Sequence, residues 1–237
     1  MMGLRVGARS RVALDWRYRL IKSAGTALGV PYFRPRVVVQ GPHPANGFIV
    51  ACNHVTLLDW AALAYALPRP VRFLITRDYY DRRACNWVCR WGGAIPVRAG
   101  GIEPSATRSA IAALGRGEIV GIFPEGGLSR TGHMQPFQRG VIQLAMRAQC
   151  PILPATIRGA FEAFPPQRRF PRPRRVVVAF GRALTPPTMS AIAADRRAAE
   201  VAFLQHLMER IGELATDASE PHRDLGIECE PPKAIHN

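Results

Sequence analysis

Short apolar runs alternate with longer segments of mixed polarity along most of this chain. Residues 36–40, 47–52, 71–76, 94–97, 120–123, 152–157 and 176–180 are rich in Val, Ile, Phe and Ala. Their length and composition predict buried strands. Between them, helices are predicted over 81–91, 105–115, 138–149 and an Ala-rich 188–214, with Ser105 as N-cap of the second, and a further one after His54. Residues 10–28 carry Trp16, Leu20, Ala24 and Leu28 at four-residue spacing, with Arg17, Arg19 and Lys22 off that stripe, so an amphipathic helix is expected there. Gly29 and Pro31 are expected to stop it. Pro165, Pro166, Pro171 and Pro173 predict an irregular stretch over 161–175. Strands alternating with helices imply an α/β fold, one domain with a mostly parallel sheet flanked by helices. The expected organisation is an N-terminal helix in 1–34, one domain over 35–214 and a polar, disordered tail over 215–237.

Composition narrows the function classes. At 237 residues and 48% hydrophobic, the chain can bury a substantial core. No run approaches the roughly 18 uncharged apolar residues of a spanning helix. The formal charge of +15, carried almost wholly by Arg, points to an anionic partner such as a bilayer surface, nucleic acid or a phosphorylated substrate, although an Arg-rich genome contributes part of it. Cysteines at 52, 85, 89, 150 and 229 form no C-x-x-C pair, so no metal site is expected and reduced thiols fit best. The N-terminal residues are basic without an apolar signal core, which argues against secretion, while a single acid, Asp15, among the first 58 leaves a transit peptide open.

The chemistry concentrates after the strand 47–52. His54 and Asp59, at a strand-to-helix junction, can act as general base and orienting carboxylate. Five residues apart they cannot share one face of a regular helix; if Thr56 caps the helix and Asp59 is its third residue, His54 lies in the preceding turn and can fold back over the first turn. Thr56-x-x-Asp59 also reads as a capping box with Thr56 as N-cap, which would make the pair structural. The strand 120–123 empties into Pro124-Glu125-Gly126-Gly127-Leu128-Ser129-Arg130-Thr131-Gly132. That loop belongs at the carboxyl end of the sheet beside His54, where ligands of open α/β sheets bind. Neither a dinucleotide fingerprint nor a P-loop is present.

Three blocks occur in order: His54-x-x-x-x-Asp59, Gly93-Ala94-Ile95-Pro96-Val97 ending in Arg98, and Phe123-Pro124-Glu125-Gly126, with Pro151 to Ile157 following. Over about residues 35–185 the chain resembles the glycerolipid acyltransferases, the family of lysophosphatidic-acid and lysophospholipid acyltransferases. The resemblance implies that His54 deprotonates an acceptor hydroxyl, Asp59 orients it, and the alkoxide attacks an acyl thioester directly. It further implies that Arg98 holds the acceptor phosphate, that Glu125, Gly126, Gly127 and Ser129 shape the acceptor site, and that Arg130 assists with phosphate. The donor would be acyl-CoA or acyl-carrier protein, with no metal or prosthetic cofactor. The favoured acceptor is 1-acyl-glycerol-3-phosphate, giving phosphatidic acid. Family members with that acceptor commonly read Glu-Gly-Thr-Arg in the third block; here Glu125-Gly126-Gly127-Leu128 is followed by Ser129-Arg130. The continuation is closer to the branch that reacylates lysophosphatidylethanolamine, which stands as the alternative.

The expected setting is the cytoplasmic face of a membrane, with peripheral or monotopic attachment. Phe161, Phe164, Phe170 and the arginines 168, 169, 172, 174 and 175 would meet anionic headgroups. A basic nucleic-acid-binding or silent lipid-binding protein is the rival class. No helix-turn-helix or zinc-finger spacing supports the former; the intact His54 and Asp59 argue against the latter.

Overall fold

The structure, a computed structural model, describes residues 8–165, 167–188 and 195–217. In chain order its elements are α1 (Ala8–Phe33), β1 (Arg36–Val39), β2 (Phe48–Cys52), α2 (Asp59–Ala66), β3 (Val71–Thr76), α3 (Arg77–Tyr80), α4 (Arg83–Gly92) and β4 (Ile95–Val97). There follow α5 (Pro104–Gly115), β5 (Ile119–Ile122), α6 (Gly140–Ala148), β6 (Ile152–Arg158), α7 (Ala160–Ala163), β7 (Val177–Phe180) and α8 (Arg196–Asp217). The strands form one sheet in the order β1-β7-β6-β2-β5-β3-β4, parallel except where β7 runs against β6.

Every residue of β2 is buried, because this strand lies between β5 and β6 with a layer on each face. On one face Ile49, Val120 and Ile152 pack with α5, α6 and α8 through Ala110, Ile142 and Leu207. On the other, Phe48, Val50 and Leu153 pack with α1 and α2 through Tyr18, Leu63 and Leu67. The two-sided burial explains why β2 and β5 read as continuous apolar runs rather than alternating ones.

Several expectations are corrected. Helix α1 continues through Gly29 and Pro31 to Phe33. Its last turn is fastened from outside: Val176 N–H donates to the Phe33 carbonyl at 3.0 Å, and the Tyr32 hydroxyl donates to the Pro171 carbonyl at 2.7 Å. The four residues of the Trp16, Leu20, Ala24 and Leu28 stripe are exposed, Trp16 lying edge-on to Trp91, while Tyr18 is buried. Helix α5 begins at Pro104 with Glu103 in the N-cap position, two residues before the expected Ser105, since proline's fixed φ suits the first helical residue. Short helices α3 and α7 were not signalled, and α7 takes up the start of the 161–175 stretch. Helix α8 starts at Arg196, Thr188 being non-helical; most of the predicted tail lies outside the described residues.

Glu200, wholly buried on α8, accepts from Arg139 at 2.8 Å, Arg196 at 2.7 Å and Gln143 at 3.3 Å. This pins α8 to the start of α6. The residue before Arg139, Gln138, donates its N–H to the Pro124 carbonyl at 2.7 Å, so the same junction fixes the loop that leaves β5.

Candidate active site

The site forms where β2 ends. Asn53 terminates the strand by clamping β6: its side-chain carbonyl accepts from Ile157 N–H at 2.8 Å and its amide donates to the Ile157 carbonyl at 3.2 Å. The chain then turns, and His54 comes back over the first turn of α2. Its Nδ1 lies 2.9 Å from Asp59 Oδ2. The same oxygen accepts from the N–H groups of Val55 (2.6 Å) and Thr56 (2.9 Å), while Oδ1 accepts from the Thr56 hydroxyl at 3.1 Å.

Thr56 is therefore not the helix cap expected from the Thr-x-x-Asp pattern. Asp59 is the first residue of α2 rather than its third, and Leu58 occupies the N-cap position. Thr56 Oγ accepts from Leu58 N–H at 2.9 Å and closes the turn. The structural and chemical readings of Asp59 coincide: one fully buried carboxylate builds the turn and grips the imidazole. Because a carboxylate accepts, the proton is assigned to Nδ1 and the Nε2 lone pair is free to take another.

The loop after β5 is stitched to this turn. Glu125 Oε1 accepts from His54 N–H at 2.8 Å and Oε2 from Gln135 N–H at 2.9 Å; Ser129 N–H donates to the His54 carbonyl at 2.8 Å. Burial raises the Glu125 carboxyl above its ordinary range, with the nearby Asp59 adding to this and the two N–H donors opposing it. Gly126 has φ +76°, and a Cβ there would lie 2.0 Å from the Gln138 amide, so glycine is needed. The Phe123 ring stacks on His54, centroids 4.0 Å apart and planes 13° from parallel.

His54 opens into a cavity of about 1130 Å³. It runs down the α1/α2 face of the sheet to Tyr18 and Val71 between largely apolar walls that include Phe33, Trp60, Phe73 and Val88. Val71 is level with Ile119 and that with Phe48, so the cavity spans six strand residues below His54, about 20 Å at about 3.3 Å per residue. Burial pushes the Tyr18 phenol, near its floor, up to about 12.

The expected residues are distributed unevenly about this cavity. His54, Gly126, Gly127 and Arg98 line it; Asp59, Glu125 and Ser129 are buried behind it, and Arg130 is exposed outside its lining. Arg98 stands at the end of β4, three strands from β2 and so about 14 Å across the sheet. Its side chain is 78% exposed, and its Nε contacts Glu103 at 3.1 Å, a carboxylate it shares with Arg77. Phe123 stacks on His54 and Asn53 fixes the strand end just before it, although neither was singled out as a site residue. Asn53 directly precedes the histidine, and Phe123 reads as strand core by hydropathy alone.

Among the described residues no side chain is arranged as a covalent nucleophile. Cys52 is wholly buried, and burial, with Asp59 and Glu125 nearby, holds its thiol well above the usual range. Among the described residues no hydroxyl or thiol is hydrogen-bonded to the His54 ring, and no cluster of three potential metal ligands occurs.

Known proteins share this chain's family and fold. The family model described as Acyltransferase matches residues 35–158. A 1-acyl-sn-glycerol-3-phosphate acyltransferase of Bacillus subtilis (strain 168) is 30% identical over 115 residues, 48% of this chain and 57% of its own. The 1-acyl-sn-glycerol-3-phosphate acyltransferase alpha of Mus musculus is 30% identical over 191 residues, 77% of this chain and 66% of its own. The chain thus spans between about half and two-thirds of the length of these curated relatives. The crystal structure of the 1-acyl-sn-glycerophosphate (LPA) acyltransferase PlsC from Thermotoga maritima matches with a TM-score of 0.68 and 19% identity, covering 92% of this chain and 86% of that one. At that identity the match establishes a shared fold.

Proposed function

This chain belongs to the glycerolipid acyltransferase family, and from that premise we propose that it acylates the free hydroxyl of 1-acyl-glycerol-3-phosphate. The donor is an acyl thioester of CoA or acyl-carrier protein, and the product is phosphatidic acid. The observation that carries the reading is a His54–Asp59 pair opening onto a long apolar cavity. Nε2 takes the hydroxyl proton as the oxygen attacks the thioester carbonyl, while Asp59 stabilises the imidazolium. Collapse of the tetrahedral intermediate expels the thiolate, which recovers the proton from His54. The acyl chain lies along the cavity.

The acceptor assignment leans on the printed names of the relatives. Arg98 at the cavity rim is the phosphate partner, with Arg77 beside it through Glu103. One observation favours lysophosphatidylethanolamine instead: the third block offers Gly127 in place of a hydroxyl, and Arg130 lies outside the cavity lining. Initial rates with labelled oleoyl-CoA and lysophosphatidic acid, both varied, are expected to give intersecting reciprocal plots and labelled phosphatidic acid. Parallel plots would indicate an acyl-enzyme instead. Product from lysophosphatidylethanolamine alone would transfer the assignment to reacylation.

Exposed apolar side chains support access from a bilayer. Among the described residues no helix is long and apolar enough to cross a membrane. Trp16, Leu20 and Leu28 on α1, Trp87 on α4 and Leu57 beside His54 are nevertheless exposed, and all but Trp16 also line the cavity. Arg17 lies over the Trp16 and Trp91 rings, 5.5 and 5.6 Å from their centroids. Such a face suits the headgroup boundary of an anionic leaflet, the cytoplasmic one in this reading. Burying a large apolar side chain contributes about 1.5–3 kcal/mol. The double variant Trp16→Ser, Trp87→Ser is therefore expected to lower binding to anionic vesicles at least about tenfold in a sedimentation assay. Undiminished binding would place the membrane contact elsewhere.

A further inference from the structure

We infer that Phe123 is a positioning residue that stabilises the His54 imidazolium through its ring face. The inference rests on the proposed role of His54 as base, but its geometry is independent of substrate. The two rings are nearly parallel at 4.0 Å, well inside the roughly 6 Å over which an aromatic face attracts a cation. When Nε2 takes a proton, the positive charge spreads over a ring lying on the negative face of the phenyl group.

Phe123 is held for this. Phe73 of β3 stacks behind it, centroids 6.0 Å apart and planes 8° from parallel, which makes a column of three rings. The column depends on Gly121, the register partner of Phe73: a Cβ at that position would lie 2.5 Å from the Phe73 ring. Glycine in the middle of a buried strand weakens its packing, and here the vacated space is filled by the ring that backs Phe123.

The other groups facing His54 divide the work. From α2, Asp59 meets the Nδ1 edge; from the loop after β5, Glu125 takes the peptide N–H; on β2, the buried Cys52 thiol lies near the same two carboxylates. None of these contacts is the ring stack that Phe123 makes.

The test is NMR titration of the His54 ring, with its signals assigned by their loss in His54→Ala. Replacing Phe123 with pentafluorophenylalanine keeps the shape of the ring and reverses the sign of its face. The titration midpoint is expected to fall by about half a unit to one unit relative to the parent chain. Phe123→Leu should move it the same way, and Phe123→Tyr should leave it near the parent. In the transfer assay the acid limb of the kcat profile should shift to lower pH in the first two variants, and kcat should fall more than KM changes. A midpoint unmoved by pentafluorophenylalanine in a folded chain would overturn the inference and leave Phe123 as a wall of the cavity. Should the parent show no acyl transfer, the proposed function fails, while the titration still decides what Phe123 does to His54.

Discussion

Alanine in place of His54 is expected to lower the acyl-transfer rate by about 10³-fold or more, with a thermal unfolding midpoint close to that of the parent chain. A positioned general base contributes typically about 10²–10⁴-fold. The fold should survive because the contacts that hold this turn are not made by the ring. Glu125 and Ser129 bond to the peptide groups of residue 54, which alanine retains. Asp59 loses one donor and keeps three, from Val55, Thr56 and the Thr56 hydroxyl. Labelled product formation and a circular-dichroism melt check the two halves. Near-parental turnover in a folded variant would remove His54 from the mechanism.

The Asp59 variants should behave differently, because this carboxylate serves the turn as well as the imidazole. Asp59→Ala would leave two N–H groups and a hydroxyl without acceptors at a fully buried position. Each such orphan costs about 1–3 kcal/mol, so a loss of about 3 kcal/mol or more in unfolding free energy is expected, along with activity. Asp59→Asn is the sharper probe. Its amide oxygen can still accept from Val55 and Thr56, which preserves much of the stability. It carries no charge to stabilise imidazolium. A large loss of kcat with most of the stability retained is the expected result, read from denaturant unfolding and initial rates. Equal losses of stability and activity in both variants would mean that Asp59 only builds the turn.

Much of this was legible in the residues, and the parts that were not share a physical cause. Buried strands such as β2, β5 and β6 announce themselves because two covered faces demand unbroken apolar runs. His54 and Asp59 meet because both lie in one local turn, whose geometry five residues can specify. Strand order is not local. Arg98 follows its block immediately, yet β4 joins the far side of β3, and this carries the guanidinium to the cavity rim rather than to His54. Periodicity placed an apolar stripe on α1 but not what covers it. The described domain leaves Trp16, Leu20 and Leu28 exposed and buries Tyr18. Pro31 failed to end that helix because tertiary bonds from Val176 and to Pro171 secure its last turn. In the third block, Glu125 is a clamp on the His54 turn and Ser129 a backbone donor to it, roles that residue type alone does not distinguish from contact with substrate.

The proposed reaction requires His54 to activate a lysolipid hydroxyl for direct acyl transfer. The measurement that meets this most directly incubates the purified chain and His54→Ala side by side with labelled oleoyl-CoA and 1-acyl-glycerol-3-phosphate, and follows label into lipid and into protein. Labelled phosphatidic acid from the parent chain alone, with no label retained on the protein, is the predicted result. Equal product from the two chains, or label held covalently by the protein before acceptor is added, would contradict it.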